Sequence, residues 1–296
     1  MSNRKLLTVS SPIYISAYRR QQRIYFLLLM PILCWFLVIY LYPILGMFLR
    51  SLFDPALTAK HYAHFLEVTV YQKVLINTTK LALLVAFCTL ILGYPVAYLL
   101  ATVRPRMANL LMFLVLLPFW MSILVRSFAW VILLGRSGVI NSVLLNLGII
   151  ENPLPLMYNW FGVTLGMVHI LLPFMILPMS SVMKGIDRNL MLAAQNLGAG
   201  PIQTFFRVFF PLSLPGVIAG SLLVFIIALG FFITPTLLGG TKNMTIAMLI
   251  ETQVNALLNW GFASALSVIL LSSTLIILLI GARFTKLERI YGDASK

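Results

Sequence analysis

The chain has 296 residues, 61% of them hydrophobic and only 9% charged, and its mean hydropathy is +1.01. A soluble protein of this length keeps roughly a quarter of its residues charged, so there is too little polar surface here to cover a globule, and lipid is the expected solvent. The net charge of +14 raises nucleic acid as a partner, but no basic stripe interleaved with aromatics lies on a soluble stretch, which sets that class aside.

Residues 1–23 carry Arg4, Lys5, Arg19, Arg20 and Arg23 and lack an apolar h-region, so a tail is expected here rather than a cleaved signal peptide. A helix needs about 20 apolar residues to cross the hydrocarbon core. Six stretches meet that length, near 24–49, 78–101, 107–134, 161–183, 212–238 and 260–282. Cys34 and Cys88 sit inside the first two and read as small buried hydrophobes, without metal-ligand or disulfide spacing. The third stretch is over-long and interrupted by Pro118 and Arg126. Its alternative reading is a span ending near Val125, followed by a helix lying in the interface. In GVINSVLLNLGII (138–150), Val139, Ile140, Val143, Leu144 and Leu147 form a helical stripe, which predicts an amphipathic helix on the outer leaflet or over a pore mouth. The expected organisation is a tail at 1–23, a six-helix membrane domain at 24–282 that includes a cytoplasmic loop at 184–211, and a second tail at 283–296.

An even number of crossings puts both termini on one side. Five Lys/Arg lie in the first tail, two at Arg104 and Arg106, three at Lys184, Arg188 and Arg207, and four after residue 282, which is fourteen of the 21. The other seven are Arg50, Lys60, Lys73, Lys80, Arg126, Arg136 and Lys242. The positive-inside rule then predicts cytoplasmic N- and C-termini. The outer loops, near 50–77, 135–160 and 239–259, hold Asp54, Glu67, Glu151 and Glu251.

Catalytic signatures are scarce. No G-x-x-x-x-G-K-[ST] and no H-E-x-x-H occurs, so neither a phosphate-cradling loop nor a zincin helix is present. His61 and His64 could form half a metal site, but a solvated loop is the preferred reading. His169 falls mid-span in GMVHILLPF; an ionisable group there points either to function or to a neutral imidazole bonded across the bundle. A membrane-embedded enzyme using His169 and a structural subunit of a larger complex stay open as minority readings.

The loop between spans four and five reads LAAQNLGAGPIQTFFRVFFPLSLPGV over 192–217. Asn189 can cap a helix through LMLAAQNL, Gly198 can end it in a left-handed cap, and Pro201 suits the first position of a second helix. That second helix, IQTFFRVFF, is expected to stop before Pro211. The result is a helix–turn–helix elbow whose small face, Ala193, Ala194, Gly198 and Ala199, allows close approach by another protein.

Two alanines, a glycine four residues on, and P-x-x-x-P-G about a dozen later resemble the cytoplasmic "EAA" loop of ABC-importer permeases. Here they are Ala193, Ala194, Gly198, Pro211 and Pro215-Gly216. PFWMSILVRSFAW (118–130), GVINSVLLNLGII (138–150), ILLPFMILPM (170–179), LPGVIAGSLLVFIIALGFF (214–232) and the LGG at 238–240 resemble the spermidine/putrescine-type permeases, so the likeness covers most of 77–282. One departure stands out: the family's glutamate before the alanines falls at Leu192.

The resemblance implies an all-α integral membrane protein of the type I ABC-importer permease fold, with six transmembrane helices and a coupling-helix elbow between spans four and five. It implies a place in the bacterial inner membrane and no chemistry or cofactor in this chain. ATP and Mg would be bound by a partner ABC ATPase dimer. A second, non-identical permease and a periplasmic substrate-binding protein would complete the system. Coupling would then rest on Leu192, Ala193, Ala194, Gly198 and Ala199, with Phe205, Pro211 and the neighbouring Arg188 and Arg207. The solute implied is a polyamine. Its path would be lined by aromatic and polar side chains, for which Tyr94, Trp120, Trp130, Phe231, Phe232, Thr234, Thr236 and Glu251 are the candidates. Core packing or an interfacial belt explains each of these equally, and opines, amino acids and aminophosphonates remain open as solutes.

Overall fold

The structure, a computed structural model, describes residues 12–53, 56–240 and 243–293, with side chains described over 25–281 of that range. The outer parts of both predicted tails, Arg4 and Lys5 among them, lie outside the described residues, as do Asp54, Lys242 and Lys296. Among the described residues the chain is helical, with no strand.

The helices are α1 (Pro12–Leu52), α2 (Lys60–Glu67), α3 (Thr69–Thr102), α4 (Pro105–Leu116), α5 (Ile123–Leu134), α6 (Val139–Asn146) and α7 (Trp160–Lys184). After these come α8 (Arg188–Asn196), α9 (Pro201–Thr204), α10 (Phe210–Leu229), α11 (Ile233–Leu238), α12 (Ile246–Asn255) and α13 (Trp260–Asp293). The core is a three-helix packing of α3, α7 and α10, and α7 is its most buried member. Lipid offers helices no hydrophobic drive to associate, so small residues must let backbones approach. Gly220 and Gly216 of α10 do this against α7: a Cβ at Gly220 would lie 2.9 Å from the Met175 carbonyl oxygen, and one at Gly216 would lie 3.1 Å from the Met179 Cα. On the α3 side, Gly93 admits the Met175 and Met179 side chains, whose unbranched thioethers fill the irregular gap. α1 lies outside this core, with no buried residue in its most apolar stretch, and packs against α13.

Three predicted boundaries change. By length and hydropathy alone, Ile123–Asn146 would count as the third crossing, with Pro105–Trp120 a shorter apolar helix. The packing says otherwise. Phe119 meets Phe174 at 5.5 Å between ring centroids, Trp130 bonds His169, and Leu134 lies against Gly162. Rising numbers on one strand of chain against falling numbers on α7 define one antiparallel crossing over 105–134. It does not end near Val125, and α5 is not an interface helix, because it packs on α7 and α11. The crossing is broken in the middle. Leu117–Trp120 forms a 3₁₀ turn, and Met121 and Ser122 are extended. Pro118 explains the break, since it lacks an N–H and its ring crowds the carbonyl four residues back.

The fifth span also ends early. α10 stops at Leu229, Gly230–Phe232 interrupt it, and 233–238 become the separate short helix α11. Its beginning moves the other way, because the helix from Pro201 does not stop before Pro211 but continues to Leu229. A π turn at Phe205–Phe209, with the Phe210 N–H bonded to the Phe205 carbonyl, absorbs the proline without ending the helix. α6 forms where the amphipathic stripe predicts it, but Val139, Val143 and Leu147 face outward. What holds it is Asn141, fully buried: its Nδ2 donates to the carbonyls of Gly135 and Leu154, and its Oδ1 accepts from the Leu154 N–H.

Candidate functional site

Two features have the geometry to carry function: the elbow of α8 and α9 at one end of the bundle, and a polar cluster where α5, α7 and α11 meet.

The elbow begins at Asp187, whose carboxylate accepts from the Asn189 N–H at 2.9 Å. Asp187 therefore caps α8, and Asn189 lies inside it. An acidic N-cap is the signal that would have found this in the sequence. At the other end Gly198 takes φ +87°, with Gly198 N–H bonded to the Gln195 carbonyl and Ala199 N–H to the Ala194 carbonyl. That pair of bonds is a Schellman closure, and it needs the left-handed residue that glycine supplies without strain. Pro201 then opens α9 at its first position, following the predicted sequence of signals.

The elbow presents Leu192, Ala193, Gly198 and Ile202 to the outside, and Leu197 is 89% exposed; Ala194 and Ala199 are half-buried. Its other face clasps the C-terminal end of α3. Arg188 Nη2 donates to the carbonyls of Ala101 (3.1 Å) and Thr102 (3.3 Å), which are left unpaired at the end of that helix. Phe205 and Phe209 pack edge-on to Tyr98, at 5.6 and 4.9 Å, and Phe205 also meets Tyr94. The Tyr94 hydroxyl hydrogen-bonds the Ser213 hydroxyl at 2.9 Å. Arg188 thus ties the elbow to its own bundle, while Arg207 and Pro211 are exposed.

The polar cluster is built by the broken third crossing. Arg126 lies one turn into α5, just past the break, and is 6% exposed. One turn above it on the same face, Trp130 Nε1 donates to His169 Nδ1 at 3.2 Å. Ser127 and the fully buried Thr234 join their hydroxyls at 2.9 Å and fasten α5 to α11. Arg126 Nε is buried without a hydrogen-bond partner, and so is Thr164 Oγ1 on α7. None of α3, α4, α5, α7, α10 and α11 contains an Asp or Glu, so the guanidinium has no carboxylate among the core helices. A charge at the centre of a helix in the bilayer costs about 2.5–3.5 kcal/mol by insertion scales, which marks Arg126 as retained against a cost. Sequence reading noted Arg126 only as an interruption and missed Ser127, because side-chain pairing across helices leaves no mark in spacing.

The other path candidates scatter. Phe231 and Phe232 are half-buried at the break between α10 and α11, and the exposed Thr236 hydroxyl donates to the Phe232 carbonyl. Tyr94 is turned to the elbow, Trp120 is 69% exposed beside the α4–α5 break, and Glu251 on α12 accepts from Asn255. His61 and His64 both pack their rings near Phe262, and no three His, Cys, Asp or Glu side chains converge among the described residues.

Among the described residues, six helices are long and apolar enough to cross a membrane, and the third crossing and the fifth span are broken. Residues 90–287 match the family of binding-protein-dependent transport system inner membrane components. The chain is 39% identical over 230 residues to the spermidine/putrescine transport system permease protein PotB of Salmonella typhimurium, covering 78% of this chain and 80% of that one. The PotB of Escherichia coli is likewise 39% identical, over 72% of this chain and 77% of its own. The molybdenum transport system permease protein ModB of Mycobacterium bovis is 30% identical over 72% of this chain and 79% of its own. Among solved structures, the crystal structure of a bacterial ABC transporter involved in the import of the acidic polysaccharide alginate superposes with a TM-score of 0.70 at 20% identity, covering 92% of this chain and 98% of that one. The crystal structure of a bacterial alginate ABC transporter in complex with alginate pentasaccharide-bound periplasmic protein superposes equally, with a TM-score of 0.70 at 20% identity over 88% of this chain and 93% of that one. The chain belongs to the binding-protein-dependent transport system inner membrane component family. It is a permease component of an ABC importer, a multi-pass protein of the inner membrane, and its homologues are transport permeases rather than enzymes.

Proposed function

We propose that the elbow 187–204 is where this chain receives the work of a separate ATPase dimer, which binds the ATP and Mg, and that this chain itself carries no cofactor. The observation that carries the reading is the outward presentation of Leu192, Ala193, Leu197 and Ile202 on a short helix pair whose inner face is locked to α3. A surface that is apolar, small in profile and cytoplasmic by charge count suits a protein cleft. Leu192 contributes shape and apolar area there and offers no ion pair. ATP would move a two-state equilibrium by contacting the elbow differently in the two states, and the α3 clasp carries that displacement into the core. N- and C-termini in the cytoplasm, a second, non-identical permease and a periplasmic substrate-binding protein complete the proposed system.

The solute proposed on the PotB likeness is a polyamine, moved by alternating access. A second reading, a small amine that also bears a carboxylate such as an amino acid or opine, is favoured by one observation: the core helices hold a buried arginine and no acid. The coupling proposal is tested with Ala193→Arg and Gly198→Arg in cells carrying the whole transport system. Both variants should reach the membrane at wild-type amounts and lose ATP-driven uptake of the system's solute; uptake at the wild-type rate would overturn the assignment.

A further inference from the structure

A groove of about 770 Å³ runs between α1 on one side and α12 and α13 on the other, outside the α3–α7–α10 core. Its mouth lies at the end of the bundle away from the elbow. There the Ser51 hydroxyl bonds the Tyr62 hydroxyl of α2, and His64 of α2 packs on Tyr71 in the first turn of α3, whose last turn the elbow holds. The volume falls within the range of small-molecule sites, about 300–1,000 Å³. On α1 the wall runs from Tyr42 to Arg50, about 12 Å at 1.5 Å per residue. That length is close to one leaflet's half of a hydrocarbon core about 30 Å thick. A crossing helix seated here would need a groove of the full thickness, so the length fits an acyl chain and not a neighbouring helix.

The lining changes with depth as a phospholipid does. At the mouth the Arg50 guanidinium, in the last turn of α1, stands 5.9 Å from the centre of the Trp260 ring. It makes no salt bridge among the described residues, and no Asp or Glu lines the groove. Arginine and tryptophan are the residues that anchor at a membrane interface, and an unneutralised arginine there attracts an anionic headgroup. One turn deeper on α13, about 6 Å, Ser264 lines the wall at 8% exposed. Its hydroxyl has no hydrogen-bond partner among the described residues, a cost that a ligand acceptor would remove. One turn deeper on α1, nothing lies within 4 Å of where a Gly46 Cβ would be.

We propose that this groove binds one anionic phospholipid, with its phosphate on Arg50, an ester carbonyl on the Ser264 hydroxyl and an acyl chain along Gly46 and Tyr42. The planar fork of arginine matches the two free oxygens of a phosphodiester. The lipid fills the seam between α1 and the rest of the bundle, and so fastens the first crossing to the last. The charge count places it in the outer leaflet.

Phosphatidylglycerol and phosphatidylcholine with identical acyl chains differ in net charge, so the pair isolates the headgroup. The assembled complex of ATPase and both permeases is delipidated in mild detergent and titrated with each, and native mass spectrometry counts the lipids held. One phosphatidylglycerol per copy of this chain should be held about fivefold more tightly than phosphatidylcholine, the worth of one basic residue near an anionic headgroup. Arg50→Gln should remove that preference. Gly46→Leu keeps the arginine but fills the groove, and should remove the bound lipid itself. Equal binding of the two lipids by the wild-type complex, or retention unchanged in either variant, overturns the proposal. Loss of the second permease from Gly46→Leu, with lipid retention unchanged, would assign the groove to a membrane helix and overturns it as well. Should one variant fail to assemble, the wild-type comparison and the other variant decide.

Discussion

Glycines in this chain do opposite things at different positions. Gly198 is required for its left-handed φ, with open space around it, whereas Gly220 has an ordinary helical backbone and is required for the space it leaves to Met175. Gly46 on α1 has neither constraint, since nothing lies within 4 Å of where its Cβ would be. Gly220→Val should therefore force α7 and α10 apart, and overpacking of this kind costs about 1–3 kcal/mol. Thermal unfolding of the purified complex measures it: Gly220→Val should lower the melting temperature by several degrees, and Gly46→Ala should leave it unchanged or slightly raised. Equal melting temperatures for the two would remove the close-approach argument.

Among the helices, the informative one is α3, because the elbow grips it without being connected to it. α8 and α9 continue covalently from α7 and into α10, yet Arg188, Phe205, Phe209 and Ser213 all reach to α3. A displacement of the elbow thus acts on all three core helices together. Replacing Arg188 by alanine removes two hydrogen bonds to exposed carbonyls and leaves docking surfaces intact, so ATP hydrolysis by the complex should continue while the solute transported per ATP falls severalfold. Parallel measurement of hydrolysis and uptake in proteoliposomes separates this from a docking defect, which would reduce both together. The π turn ahead of Pro211 has a related consequence, because it keeps α9 and α10 in one continuous helix.

For the molecule as a whole, the charge count predicts that elbow and termini share one side and that α6 lies on the other. Cysteine replaces Gln203 in the elbow or Asn146 in α6, in a background where Cys34 and Cys88 are serine. A membrane-impermeant maleimide added to intact spheroplasts should label Asn146→Cys and spare Gln203→Cys, and inside-out vesicles should reverse the pattern. Labelling of both from one side would overturn the topology. The exposed apolar belt over α1, α4 and α5 is what this topology leaves facing lipid or another membrane subunit.

Composition and run length were sufficient to establish a membrane protein with six crossings, because desolvating a backbone in lipid leaves few alternatives to long apolar helices. The elbow was legible for the same local reason: Gly198 and Pro201 have conformational preferences that act within a few residues. Local signals misjudged Asn189 and Pro211, where an adjacent aspartate competes for the cap and a π turn absorbs the proline. Neither the break that makes α11 a separate helix nor the clasp of Arg188 on α3 was visible, since each depends on a partner far along the chain. The same holds for Arg126, written in the sequence as an interruption of a greasy run. Only the folded bundle shows it buried, one turn from the Trp130–His169 pair, with no acid among the core helices.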